Sequence, residues 1–155
     1  MEIRIREAAL DDAEDARAVV EIIDSYARGP GGRNEPLDDF ARANLAKGIR
    51  EHPAMIAWLA LADDAPVGVA VCLRTFSTFA GRPAMNVHDL AVLPGHQGRG
   101  IGRALLERVA DVAREAGCCK VTLEVHDSNE GAKRLYRDVG FGPFEPATYF
   151  VSKPL

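Results

Sequence analysis

The chain has 155 residues, of which 47% are hydrophobic and 27% are charged, as in ordinary soluble globular proteins. A chain of this length forms one domain with a core that needs no metal or disulfide, so we expect a single domain over residues 1–155. The net charge of −4 and the lack of a basic block argue against a nucleic-acid ligand. No apolar run reaches the roughly 20 residues that span a bilayer, and the three cysteines form no disulfide framework, so we expect a cytoplasmic protein without membrane contact.

The first half of the chain predicts one strand, two helices and a hairpin. Residues 2–7 alternate between isoleucine and charged residues, which is typical of a strand. Asp11 or Asp12 can cap a helix that runs to about Tyr26, where a glycine-rich loop stops it. A second helix is expected over residues 37–50, and two apolar runs at 55–62 and 67–73 indicate a hairpin.

The second half of the chain alternates strands with helices. A third apolar run at 85–93 precedes the most strongly periodic helix, over residues 98–116, in which apolar residues recur at helical spacing. Residues 121–125 are rich in β-formers, residues 129–139 predict a short helix, and residues 141–151 predict a last strand. This order indicates a mixed α/β domain with a strand–helix–strand crossover between residues 85 and 125.

A glycine loop lies between the third apolar run and the long helix. Its sequence is Gln97-Gly98-Arg99-Gly100-Ile101-Gly102. The first amides of a helix lack intrahelical acceptors and lie at the positive end of its dipole, so they suit a phosphate or pyrophosphate. The spacing fits neither a dinucleotide fingerprint nor a nucleotide P-loop. The loop alone is equally compatible with phosphate binding and with a tight strand–helix junction.

The residues around this loop resemble a known family. The segment from His88 to Arg108 is similar to the acetyl-CoA motif of the GNAT superfamily of N-acetyltransferases, L-x-V-x-P-x-x-[R/Q]-G-x-G-[I/V/Y]-G. A second block, from Leu123 to Phe141, is similar to the family's L-E-V-x-x-x-N-x-x-A-x-x-L-Y-x-x-x-G-F. The resemblance implies a central sheet of about six to seven strands with about four flanking helices, in which the fourth and fifth strands splay apart.

The same resemblance implies acetyl-CoA as cofactor and assigns residues to it. The backbone of Leu90, Ala91 and Val92 would pair with the pantetheine arm, as an added strand pairs with a sheet edge. The amides from Gln97 to Gly102 (the loop residues Gln97, Gly98, Arg99, Gly100, Ile101 and Gly102) would hold the pyrophosphate. Asn129 would hydrogen-bond the cofactor, and Tyr136 would lie near the thioester sulfur and protonate the leaving thiolate.

The general base is open among three residues. His88 precedes Leu90 by two positions, and histidine is suited to accept a proton near neutral pH. Glu124 lies in the middle of the predicted fifth strand, where a buried carboxylate is costly unless it has a partner or a task. Asp89 is the third candidate. The four histidines show no metal-ligand spacing, so no metal is expected.

These observations predict transfer of an acetyl group from acetyl-CoA to a primary amine of a small molecule or peptide, by direct attack in a ternary complex. A non-catalytic acyl-CoA-binding module on the same fold is the alternative, and a nucleotide-binding protein is a third reading. The acceptor amine is not specified by any motif. In the fold that the resemblance implies, the loops at 26–36 and 74–82 would flank the acceptor site, and Tyr26, Phe76 and Phe79 would either shape that pocket or pack locally. Homodimers occur in this family, and the sequence leaves that state open.

Overall fold

The computed structural model describes residues 1–144 and 149–155, which form five strands and four helices, numbered here in chain order. The strands are β1 (Ile3–Glu7), β2 (Met55–Ala62), β3 (Ala65–Ser77), β4 (Arg82–Val92) and β5 (Val121–Leu123). The helices are α1 (Ala13–Arg28), α2 (Asp39–Glu51), α3 (Ile101–Glu115) and α4 (Glu130–Asp138). The expected mixed α/β class is confirmed.

The five strands form one sheet in the order β1-β2-β3-β4-β5. Neighbouring strands are antiparallel except β4 and β5, which run parallel because α3 carries the chain back between them. The crossover expected between residues 85 and 125 is therefore present.

Each face of the sheet has its own core. On one face, here called the α3 face, Leu105, Val109 and Tyr136 pack against side chains such as Trp58 and Met85. On the other, here called the α1 face, Val19, Ile22 and Ile49 pack against Leu59 and Val71. The sheet therefore separates α3 and α4 from α1 and α2. Side chains from the two faces can meet only where neighbouring strands of the sheet diverge.

The helix boundaries follow from local capping. Asp12, one of the two expected caps, accepts hydrogen bonds from the amides of Glu14 and Asp15 and so begins α1. Asp38 caps α2 by accepting a hydrogen bond from the amide of Ala41. The helix therefore begins at Asp39, two residues after the start expected from the sequence. None of the helices in the described part of the chain has both the length and the apolar character needed to cross a bilayer.

The expectation of six to seven strands is wrong for the described residues, which hold five. The strand expected over residues 141–151 is not among those five. Residues 141–144 and 149–151 are not in a strand, and residues 145–148 lie outside the described part. Pro143 contributes no amide to a ladder, which opposes strand pairing at the start of this segment.

Candidate active site

The sheet opens as a fork between β4 and β5. The two strands pair at only three positions, Met85 with Val121, Asn86 with Thr122 and Val87 with Leu123. Beyond Val87, β4 continues to Val92 and pairs with β3 alone among the described residues. The structure thus has the splayed strand pair that the resemblance implies, with a free edge on the second half of β4.

The free edge presents the backbone of alternate residues. The amide of Leu93 donates to the carbonyl of Val67 on β3 at 2.8 Å. Because backbone groups alternate in direction along a strand, Ala91 also points toward β3, while Leu90 and Val92 point toward the fork. The carbonyl of Val92 accepts a hydrogen bond from Nε2 of Gln97 at 3.1 Å. Of the three residues expected to pair with pantetheine, two therefore have backbone groups on the free edge, and Ala91 does not.

A bulge in β4 lies beside the fork. Val71 of β3 is opposite Asp89, but the next residue of β3 is opposite Val87, so His88 is an extra residue. The side chains of Val87 and Leu90 both pack on the α3 face, and two residues lie between them. Regular alternation would allow only one, so the bulge places both His88 and Asp89 toward the α1 face. Two of the three candidate bases therefore lie side by side.

Four ionisable groups interact electrostatically at the fork. Burial raises the pKa of the half-buried Asp89 carboxyl, and the charge of His88 opposes that rise. The pKa of Tyr26, near the end of α1, is raised by burial and then by the charge of Asp89. Burial likewise raises the pKa of Tyr136, with a smaller contribution from Tyr26. Both phenols are therefore protonated at neutral pH. Tyr26 on α1 is close enough to Tyr136 on α4 to affect its pKa, so the two phenols lie near each other through the fork although their helices cover opposite faces of the sheet.

Tyr136 is held firmly on α4. The residue is only 8% exposed, and the rings of Tyr136 and Phe141 pack edge to face with centroids 5.9 Å apart. Asn129 begins α4, because its Oδ1 accepts the amide of Ala132 at 3.1 Å. The side-chain NH₂ of Asn129 has no acceptor among the described residues. The residue expected to contact the cofactor is thus also the helix cap, with its donors still available.

The glycine loop leaves donors without acceptors at the start of α3. Gly100 is the N-cap, with φ of 83°, and no side chain caps the helix. The first helical bond runs from the amide of Ala104 to the carbonyl of Gly100, so the amides of residues 101–103 have no intrahelical acceptor. This arrangement fits a pyrophosphate, which would accept hydrogen bonds from these amides.

The glycines of this loop serve two different purposes. Gly98 and Gly100 adopt φ of 72° and 83°, a left-handed conformation that favours glycine, while the space around a Cβ at either position is open. At Gly102, a Cβ would lie 3.0 Å from Cδ2 of Leu135. Gly102 therefore allows α3 and α4 to pack closely, and Gly98 and Gly100 set the turn.

The structure corrects the expected environment of Glu124. The residue does not lie in the middle of a buried strand: β5 ends at Leu123, and Glu124 is exposed. The reason is that β4 diverges after Val87, so the chain beyond Leu123 has no ladder on that side. Glu124 still lies at the mouth of the fork, since it follows the last paired residue of β5.

Two aromatic residues of the β3–β4 hairpin do not reach this site. Phe76 and Phe79 are candidates from the sequence for the acceptor pocket, together with Tyr26. Phe76 is opposite Pro83 at the start of β4, and both phenylalanines are exposed. Six residues of strand, about 20 Å, separate Pro83 from Asp89. Of the three aromatics, only Tyr26 is at the fork.

The comparisons with known proteins agree with this architecture. The sequence profile of the acetyltransferase (GNAT) family matches residues 16–141, and the chain belongs to that family. It is therefore an acyltransferase, since members of the family transfer acetyl groups to amines and use acetyl-CoA as co-substrate.

Individual relatives differ in how much of the chain they match. Thialysine N-epsilon-acetyltransferase of Mus musculus is 29% identical over 145 residues, covering 88% of this chain and 82% of the relative. Streptothricin acetyltransferase of Streptomyces lavendulae is 46% identical over 57 residues, which is 37% of this chain and only 30% of that relative. AAC(6')-Iy, solved in complex with the bisubstrate analogue CoA-S-monomethyl-acetylneamine, superposes with a TM-score of 0.78 at 17% identity, covering 99% of this chain and 100% of that one.

Proposed function

We propose that this protein transfers an acetyl group from acetyl-CoA directly to a primary amine that binds on the α1 face of the fork. The observation that carries the proposal is the continuous free edge of β4. At one end of that edge are the uncapped amides of α3, and at the other are Tyr136, His88 and Asp89. Amine acceptors are also named for relatives, thialysine among them.

The residues of the free edge and the glycine loop would hold acetyl-CoA. Backbone groups of Leu90 and Val92 would pair with the pantetheine arm, in the manner of strand addition. The amides of residues 97–102 would bind the pyrophosphate, with Arg99 adding a charge-assisted contact. The NH₂ of Asn129 would donate to the cofactor as well. When bound, acetyl-CoA supplies the acetyl group as a reactive thioester.

The groups at the fork supply the proton transfers. His88 accepts a proton from the acceptor ammonium, and the adjacent carboxylate of Asp89 stabilises the imidazolium that forms. A free-edge amide of β4 polarises the acetyl carbonyl. As the nitrogen–carbon bond forms and the carbon–sulfur bond breaks, Tyr136 would donate its phenolic proton to the departing sulfur. The nitrogen would release its second proton to solvent, and the Tyr136 phenolate would regain a proton from solvent. Alignment of the two reactants in one fork contributes most to the rate.

A panel of amines tests the proposed activity. Incubation with acetyl-CoA and thialysine, neamine, lysine or a peptide with a free N-terminus should release CoA thiol, measured with a thiol reagent, for at least one amine. The acetylated amine should be found by mass spectrometry in equal amount. A protein that binds acetyl-CoA tightly but releases no thiol with any amine would instead be an acyl-CoA-binding module.

Three substitutions at the fork test the choice of base. We expect His88→Ala to lower kcat by about 100-fold near neutral pH, as loss of a general base does. Asp89→Asn should have a smaller effect, because it removes only the stabilising charge. Glu124→Gln should change kcat by less than about twofold, since that side chain is exposed. The kcat of each variant on the best amine of the panel decides the assignment, and a larger loss for Glu124→Gln than for His88→Ala would transfer the role to Glu124.

A further inference from the structure

Asp24 is a buried carboxylate on α1 that the proposed chemistry does not use. The residue is only 6% exposed. Oδ1 accepts a hydrogen bond from the amide of Leu37 at 2.8 Å, and Oδ2 accepts one from Nε of Arg28 at 2.8 Å. Oδ2 also forms an ion pair with Nη1 of Arg42 at 2.9 Å. The hydrogen bond from Arg28 is the largest of the effects that lower its pKa. Asp24 is thus ionised and fully engaged at neutral pH.

These bonds join three consecutive segments of the chain. Arg28 belongs to α1, Leu37 to the loop of residues 29–38, here called the α1–α2 loop, and Arg42 to α2. The same loop folds back on the last turn of α1, where the amides of Arg33 and Glu35 both donate to the carbonyl of Ala27, at 3.1 and 3.3 Å. The loop therefore has one defined position, with Asp24 bonded to its far end.

The position of the loop is transmitted to Tyr26. A Cβ added at Gly31 would lie 3.0 Å from Cε2 of Tyr26, so the loop backbone lies against the ring. At Gly32 a Cβ would be 2.5 Å from the carbonyl oxygen of Tyr26, which leaves no room for a shift of the loop toward the helix. The phenol of Tyr26 lies close enough to the fork for the charge of Asp89 to raise its pKa, and close enough to Tyr136 to contribute to the raised pKa of that phenol.

We propose that Asp24 is a positioning residue for the acceptor side of the fork, acting through the α1–α2 loop and Tyr26. The inference rests on the proposed function, because it assumes that an amine binds on the α1 face. None of the hydrogen bonds of Asp24 involves the glycine loop, α3 or α4. Loss of its carboxylate should therefore weaken use of the amine and spare use of acetyl-CoA.

The chain offers a matched control in Asp15. That residue is 7% exposed, accepts two hydrogen bonds from Arg6 and one from the amide of Ala9, and lies in the first turn of α1, away from the fork. Asp15→Asn leaves one arginine and one backbone amide without their anion, and Asp24→Asn leaves two arginines and one backbone amide without theirs. Both variants should therefore lose stability. Only Asp24→Asn should also alter the α1–α2 loop.

Hydrogen exchange followed by kinetics tests the proposal. Amides of residues 29–38 should exchange about tenfold faster in Asp24→Asn than in wild type, with those of residues 98–104 unchanged, and Asp15→Asn should leave both segments unchanged. With the best amine of the panel, for example thialysine, the KM of the amine should rise about tenfold and that of acetyl-CoA less than twofold. If Asp24→Asn does not fold, Arg42→Gln removes one partly buried partner of Asp24 and should give a weaker change in the same direction.

Two results would overturn the proposal. One is the same kinetic profile for Asp24→Asn and Asp15→Asn, which would make Asp24 a stabilising residue only. The other is faster exchange in the loop with an unaltered KM for the amine. Turnover of the wild type separates this proposal from the proposed function. If the wild type and both variants acetylate amines equally well, only the role of Asp24 is contradicted. If the wild type turns over no amine, both proposals are contradicted.

Discussion

Replacement of Tyr136 with phenylalanine should lower kcat by about 100-fold and leave the Kd of acetyl-CoA within about twofold of wild type. The substitution removes only the phenolic oxygen. The ring that packs against Phe141 in the α3-face core stays, so the fold should be retained. Without the phenol the sulfur must leave as a thiolate or take its proton from water. Steady-state kinetics and calorimetric titration with acetyl-CoA measure the two quantities.

The pH dependence of this defect follows from the raised pKa of Tyr136. Burial keeps that pKa above the ordinary value of 10.0, so the phenol remains protonated, and able to donate, well above neutral pH. The ratio of wild-type to variant kcat should therefore be the same at pH 7 and pH 9. Tyr26→Phe is the matched control, since it removes the other phenol of the fork and should lower kcat far less. Equal turnover in wild type and Tyr136→Phe would remove Tyr136 from the mechanism.

Features that depend on neighbouring residues could be predicted from the sequence. Three of the helices start within two residues of the predicted position, because Asp12, Asp38 and Asn129 cap them with their own side chains. The glycine loop is equally local. Gly100 must adopt a left-handed conformation for the chain to pass from β4 into α3, and only glycine does so without strain.

Features that depend on distant strands could not be predicted. The bulge at His88 exists only in the register of β4 against β3, which no pattern within β4 reveals. As a consequence, the sequence ranks Asp89 last among the three bases, although the bulge turns it toward the same face as His88. Likewise, the exposure of Glu124 follows from the divergence of β4 and β5, whereas its apolar neighbours in sequence predict burial.

Asp24 illustrates a signal that was present in the sequence but had no interpretation there. An aspartate within the apolar stripe of a helix, four residues before Arg28, is compatible with an exposed helical ion pair that contributes little to stability. Its significance comes from Leu37 and Arg42, which are brought to it by the turn between α1 and α2. Only the tertiary structure connects that carboxylate to Tyr26 and the fork.

Replacement of Gly100 with valine should weaken the binding of acetyl-CoA by about 100-fold, which corresponds to one or two lost hydrogen bonds to a charged group at about 1.5–3 kcal/mol each. Gly100 has φ of 83°, which a β-branched residue adopts only with strain. The start of α3 must therefore move or rewind, and the amides of residues 101–103 lose their common direction. Titration calorimetry with acetyl-CoA and with CoA measures the loss.

Gly117 provides the control that separates backbone strain from loss of the binding site. It has a comparable φ of 74°, open space around a Cβ, and lies beyond the other end of α3, a helix about 22 Å long. Gly117→Val should therefore cost a similar free energy of unfolding while the Kd of acetyl-CoA stays within about twofold. Acetyl-CoA and CoA carry the same diphosphate, so Gly100→Val should weaken the binding of both equally. If Gly100→Val binds acetyl-CoA and CoA as wild type does, the uncapped amides of α3 are not the pyrophosphate site. The assignment of the free β4 edge to the cofactor would then lack its main support.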